Sequence, residues 1–260
     1  MKLNCILTSV NDNKLYIDFI PLFVKSWTLL YPNVDIKIIL IMNKLPENLL
    51  EFKNNIILFY PIKNISTAFI SQYIRLLYPC ILNYENGIMI TDIDIIPMNK
   101  TYFTKNIKDV ENNKFIYYRG NVAFEYKEIA MCYNVSLANV WKDIFKIDSL
   151  EQIKKRLIQT YKKINYNNET NNSAWCTDQL HLYKYVMKWN QNTNNLVCLN
   201  EKKTGFCRLD RNNFNRKTIS DNKVVKKILN GKYSDYHCFR PFEKYKSFNN
   251  KILEILNKIN

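Results

Sequence analysis

Glycine is scarce in this sequence, with 4 in 260 residues, and histidine scarcer still, with 2. The 7 cysteines stand singly at Cys5, Cys80, Cys132, Cys176, Cys198, Cys207 and Cys238, with no CxxC or CxxH pairing. That spacing argues against a disulfide framework and against a thiolate zinc site, and reduced, mostly buried thiols are expected. No run of about 18 apolar residues is free of charge, and the opening MKLNCILTSVNDNK lacks a long apolar core. Neither a transmembrane span nor a signal peptide is expected, so the sequence reads as a soluble, cytoplasmic protein.

Acidic residues are also in the minority: 23 Asp and Glu against 38 Lys and Arg give a formal charge of +15. A surplus of that size suits an anionic partner, whether a phosphorylated ligand, nucleic acid or a membrane face. Lysine is nevertheless spread along the whole chain beside abundant Asn and Ile, which is the pattern of a solvated surface. No RNA-recognition signature or zinc finger accompanies the charge. Nucleic acid is therefore not an expected partner, a non-catalytic basic nucleic-acid-binding domain is kept as an alternative, and peripheral membrane contact stays open.

What the chain has in quantity is apolar surface, 47% hydrophobic and 14% aromatic residues, enough for one large core over residues 1–260. Asn4 to Val10 reads as a short strand, followed by the polar turn Asn11, Asp12, Asn13. Tyr16 to Leu30 carries apolar residues at helical spacing. Two β-branched runs, Val34 to Met42 and Asn55 to Ile62, read as buried parallel strands flanking a short helix, Leu45 to Phe52, entered through Pro46. Ser66 or Thr67 can cap a helix that runs to about Tyr78, before Pro79. Strands and helices alternating over the first hundred residues predict a doubly wound α/β fold with a mainly parallel sheet, whose ligands sit beyond the carboxyl ends of the strands.

GIMITDIDIIPM, residues 87–98, reads as one further buried strand, yet it holds Asp92 and Asp94. On a strand, residues i and i+2 face the same way with Cα atoms roughly 6.5 to 7 Å apart, so both carboxylates can address one ligand. Two unpaired carboxylates in a partly dry site repel each other and shift upward in pKa, and a divalent cation removes that cost. Oxygen ligands of this type suit Mg²⁺ or Mn²⁺, which also bridge phosphates. Serving only as caps or turn residues is the plainer alternative. Asp-x-Asp also occurs in haloacid dehalogenase-like phosphatases, where a turn rich in Gly and Thr follows; here Ile95, Ile96 and Pro97 follow. Polymerase-β-like nucleotidyltransferases place a Gly-Ser turn shortly upstream, and LLYPCILNYENG has none.

The stretch resembles the Asp-x-Asp region of GT-A glycosyltransferases, especially the glycogenin-like and bacterial lipopolysaccharide glucosyl- and galactosyltransferases. Tyr73, Arg75, Leu76, Pro79 and Leu82 stand in that family's order before Asp92 and Asp94. The resemblance implies a single Rossmann-like GT-A domain: residues 1–100 for the nucleotide, 101–242 completing the acceptor and metal sites, and 243–260 as a C-terminal helix. It implies transfer of a hexose from a nucleotide-sugar, taken as a UDP-sugar, to a glycan, protein or lipid-linked acceptor, with retention of configuration and with Mn²⁺ or Mg²⁺. Asp94 binds the metal in this scheme, while Asp92 touches ribose or sugar hydroxyls and helps hold it. Tyr73 and Arg75 face the donor or steady the carboxylates, and Thr8, Ser9, Val10 and Asn11 meet the base and ribose.

Two downstream segments extend the resemblance. Asp178 and Gln179 open a helix, with Leu180, Tyr183 and Val186 or Met187 on its inner face, and correspond to an Asp-Gln pair lining the sugar and acceptor pocket. An ordinary first-turn Asp favoured by the helix dipole is the alternative. In DYHCFRPF, residues 235–242, His237 corresponds to a metal-binding histidine and Arg240, Pro241 and Phe242 to a Lys-Pro-Trp that contacts the diphosphate, although fewer residues separate His237 from Arg240 and no Gly lies between. His181 reads as structural. SLEQIKKRLIQTYKKI has a capping box, Ser149 with Gln152, and forms an amphipathic basic helix. Residues 165–173 are polar and are read as an idle surface loop or a lid over the donor.

Overall fold

The computed structural model describes residues 1–120, 122–166, 174–216, 219 and 221–259. Residues 165–173, read as an idle surface loop or a lid, therefore fall almost wholly outside the described residues. β1 (Leu3–Asn11), β2 (Asp35–Ile41) and β3 (Ile56–Phe59) pair in parallel, with α1 (Ile20–Leu30) after β1 and α2 (Thr67–Leu77) after β3. Pro21 lies in the first turn of α1, where its missing N–H costs nothing. Glu47–Asn55 forms 3-10 turns rather than an α-helix, and Ser66 precedes α2 without a side-chain capping bond.

β4 (Gly87–Ile90) joins β1 on its other side, also parallel, and there the run 87–98 breaks. Thr91 to Asp94 form a turn, and the chain resumes as β5 (Ile95–Pro97) in a second sheet. The expected single strand carrying both aspartates is thus two strands in two sheets. Apolar patterning cannot reveal such a switch, because both pieces are completely buried. Gly87 is needed where it stands, since an added Cβ would meet the Lys2 carbonyl oxygen and Val135 Cγ2, each at 2.9 Å.

After α3 (Tyr102–Lys105) come β6 (Phe115–Tyr117), β7 (Asn134–Ser136), α4 (Ala138–Phe145), α5 (Leu150–Tyr161), α6 (Thr177–Thr193) and β8 (Leu196–Cys198). The first sheet has the order β3-β2-β1-β4-β7-β6-β8, antiparallel only on either side of β7. Then follow α7 (Glu201–Thr204), β9 (Arg208–Asp210), α8 (Asn222–Leu229), β10 (Asp235–His237) and α9 (Lys246–Leu256). β5, β10 and β9 make the second sheet in that order.

Alternation along the strands divides the core. Ile6, Ile38, Leu40 and Met89 pack with α1 and α9 on one face; Leu7, Ile39, Ile41 and Ile90 pack with α2, α4, α5 and α6 on the other. Each such side chain contributes about 1.5–3 kcal/mol when fully buried. The result is a helix-sheet-helix layering with a mainly parallel sheet, as the alternating elements predicted. On α6 the inward residues are Leu182 and Val186; Leu180 is only partly buried, two residues and so about 200° around the helix from Leu182. At α5 the Ser149 side chain accepts from the Gln152 N–H at 3.4 Å, but Gln152 reaches back to the Asp148 N–H rather than to that of Ser149. All seven cysteines are free, and among the described residues no helix is long and apolar enough to cross a membrane.

Candidate active site

A cleft of about 510 Å³ opens beyond the carboxyl end of β1, where sheet topology puts ligands in this class of fold. Ser9, Val10 and Asn11 line it, as expected of the first strand end. The Ser9 hydroxyl donates to the Ser71 carbonyl of α2, and Asn11 Nδ2 donates to Thr67 Oγ1 at 3.0 Å, so the floor is tied to the start of α2. Thr8 is a correction. It is fully buried, its hydroxyl has no hydrogen-bond partner among the described residues, and it lies one residue short of the strand end that lines the cleft. Tyr73 is a second correction: it is fully buried, with its hydroxyl 2.6 Å from His181 Nδ1, and joins α2 to α6 instead of facing a ligand. His181 is structural, as expected.

Asp92 and Asp94 both line the cleft, but their carboxylates meet different cations. Asp92 Oδ1 accepts from Arg75 Nη1 at 2.5 Å. The same guanidinium donates through Nη2 to Asp178 Oδ2 at 3.0 Å, and through Nη1 to the Thr91 carbonyl at 3.3 Å. Arg75 therefore joins the loop after β4 to the first turn of α6. Asp178 is buried, which pushes its carboxyl upward, while Arg75 pulls it back. Gln179, the next residue, lines the cleft.

Asp94 is buried under a converging set of basic side chains. Arg211 Nη1 lies 2.7 Å from its Oδ2, His237 Nε2 3.5 Å and Arg240 Nη1 3.7 Å. Burial by itself raises the Asp94 pKa, but His237 and Arg211 outweigh it and hold the group well below the ordinary carboxylate range. The other imidazole nitrogen, His237 Nδ1, is 3.3 Å from Asp210 Oδ2. A carboxylate on Nδ1 fixes the tautomer that leaves Nε2 free to act as a ligand. Arg240 donates to the Tyr16 hydroxyl and lies over that ring, 5.2 Å from its centroid.

The pairing of β9 with β10 builds much of this arrangement. Their parallel register sets Asp235 opposite Arg208 and His237 opposite Asp210, the two pairs that bond through their side chains. Arg208, Arg211, Arg119, Tyr16 and Trp175 all line the cleft, and sequence reading assigned none of them. The available signal was the charge cluster Arg208-Leu209-Asp210-Arg211, too short and too polar to read as a strand.

A divalent cation at Asp94 would meet a buried carboxylate and an imidazole oriented by a second carboxylate, ligand types that suit Mn²⁺, and would share the carboxylate oxygen with the Arg211 guanidinium. Asp92 does not share that position, being held by Arg75. Among the described residues no three His, Cys, Asp or Glu side chains lie close enough together to hold a metal by themselves.

The two sheets, their layering and the cleft at the strand ends define the GT-A glycosyltransferase fold. The chain is similar to the solved structure of the galactosyltransferase LgtC in complex with donor and acceptor sugar analogs, at 12% identity and a TM-score of 0.50 over 98% of this chain and 95% of that one. It is also similar to the glycosyltransferase GlyE of Streptococcus pneumoniae TIGR4, at 16% identity and a TM-score of 0.51 over 99% of this chain and 63% of that one. Against the bifunctional glycosyltransferase WbbM the identity is 14% and the TM-score 0.52, over all of this chain and about half of that one, 52%. At these identities the likeness is one of fold. No protein-family model matches the sequence, and comparison with curated proteins gives no match.

Proposed function

We propose that this protein is a glycosyltransferase that moves a hexose from a nucleotide-sugar, a UDP-sugar by the resemblance of its motifs, to a glycan, protein or lipid-linked acceptor. The observation that carries the reading is convergence. Ser9 to Asn11, the Arg75 bridge between Asp92 and Asp178, and the Asp94, His237 and Arg240 group come from five separate parts of the chain and line one cleft at the strand ends.

In this reading Ser9, Val10 and Asn11 receive the base and ribose. Asp92 faces the ribose or sugar hydroxyls while Arg75 fixes its direction. Arg240 sits beside Asp94 and supplies charge to the departing nucleoside diphosphate, where negative charge grows in the transition state. Asp178, immobilised by Arg75, and Gln179 line the sugar and acceptor side. Asp94 and His237 would hold Mn²⁺ or Mg²⁺, ions that complete their coordination with phosphate oxygens and water. Bound there, the cation supplies Lewis-acid stabilisation of the leaving group. Retention of configuration is the outcome the resemblance implies.

The test is Asp94→Asn, assayed for transfer and for hydrolysis of UDP-hexose donors with Mn²⁺ present. Loss of about a hundredfold or more is expected, in a variant shown by circular dichroism to keep the fold, for a group that organises the charge of the leaving diphosphate. Undiminished turnover of every donor hydrolysed by the wild type would reject the role of Asp94.

A further inference from the structure

Arg211 keeps more of its guanidinium unengaged than Arg75 or Arg208 does. Arg75 spends its donors on Asp92, Asp178 and two carbonyls, and Arg208 is clasped by Asp235 through Nε and Nη2. Arg119 is paired with Glu201 and packed over the Phe206 ring. Arg211 makes its hydrogen bonds among the described residues through Nη1 alone, to Asp94 Oδ2 at 2.7 Å and to the Cys238 carbonyl at 2.9 Å; Arg119 and Arg240 also bond through one nitrogen each, but it is Arg211 that hydrogen-bonds Asp94. Its Nε and Nη2 are left over in a side chain that lines the cleft.

The oxygen it holds is the one that faces His237 Nε2. A divalent cation seated between Asp94 and His237 would meet the Arg211 guanidinium on the same carboxylate oxygen, and like charges at that separation repel. The guanidinium needs another anion to go to. A diphosphate in the cleft offers one, and the planar fork of Arg suits phosphate oxygens in a two-point contact.

We infer that Arg211 is a diphosphate-binding residue that exchanges Asp94 for the donor's phosphates, so that the cation and the nucleotide bind cooperatively and the cation binds poorly without the nucleotide. The inference rests on the nucleotide-sugar and metal readings above and adds to them a residue and a binding order. By linkage, whatever factor UDP adds to Mn²⁺ affinity, Mn²⁺ adds to UDP affinity.

Isothermal titration of Mn²⁺ and of UDP, each with and without the other, tests it on the wild type, Arg211→Met and Arg211→Lys, after circular dichroism melting has established that each variant folds. In the wild type, UDP should strengthen Mn²⁺ binding about tenfold or more. Arg211→Met should bind Mn²⁺ alone about tenfold more tightly than the wild type, because a charge-assisted hydrogen bond no longer competes for Asp94. It should bind UDP in EDTA more weakly and lose most of the coupling. Arg211→Lys, which keeps a cation on Asp94, should retain weak binding of Mn²⁺ alone.

Wild-type coupling that persists in Arg211→Met overturns the role of Arg211 and leaves the enzyme reading standing. UDP binding that is indifferent to Mn²⁺ and EDTA in all three proteins overturns the inference through the metal reading. Absence of UDP binding under every condition overturns both it and the nucleotide-sugar reading.

Discussion

At the scale of single residues, Arg75 carries the most structure per side chain. Its guanidinium is buried and bridges two carboxylates that belong to different segments, Asp92 after β4 and Asp178 on α6. Removing one partner of a buried pair leaves the other charge without compensation, and that costs about 3–5 kcal/mol. Arg75→Met is therefore expected to lower stability in urea unfolding by that amount, with the loss borne mainly by Asp178, the deeper of the two acids. Adding Asp178→Asn should return a large part of it. Because the Asp178 pKa is already above its ordinary value by burial, and loses its attractive partner in the variant, the deficit should grow as pH rises from about 4. A double variant no more stable than Arg75→Met would remove Asp178 as the source. Asp92, Asp94 and Asp178 could be picked out from sequence because each sits in a short local motif. Arg211 could not, since its bond to Asp94 spans 117 positions and only the finished fold brings the two together.

At the scale of elements, local periodicity gave the long ones and missed the short ones for a physical reason. β1, β2, α2 and α5 are long enough for their buried faces to repeat, whereas β9 and β10 have three residues each and are defined by their pairing with one another. The same limit hid the passage from β4 to β5. The contact between α2 and α6 shows how elements lock through a titratable group. Tyr73 Oη and His181 Nδ1 are 2.6 Å apart, and burial, followed by Lys184 and Arg156, pushes the His181 pKa below the ordinary 6.5. Between the folded value and 6.5 the unfolded chain binds a proton that the folded chain refuses, so stability falls as pH drops through this window. Melting temperature followed from pH 7.5 down to 5 should decline in the wild type and decline less in His181→Gln. Equal slopes in the two proteins would assign the dependence to another group.

At the scale of the whole molecule, a charge of +15 has to be reconciled with a cleft whose arginines are largely neutralised by partners. Arg75, Arg119, Arg208 and Arg211 each face a carboxylate, so the surplus sits mainly with lysines outside the cleft. Lysines that pair, such as Lys146 with Asp143 and Lys251 with Glu254, do so on exposed surface. Exposed charges are screened within about 10 Å at 0.1 M salt, while buried ones are screened much less. Duplex DNA, held only by such a surface, should therefore lose about tenfold or more in affinity between about 50 and 200 mM KCl. UDP, which the proposed function places among buried groups, should change only a few-fold over the same range. Fluorescence anisotropy with a labelled duplex, alongside calorimetry with UDP, separates the two. If DNA binding survives the higher salt and UDP displaces it, the positive surface and the cleft form one site, and the charge is functional instead of a property of composition.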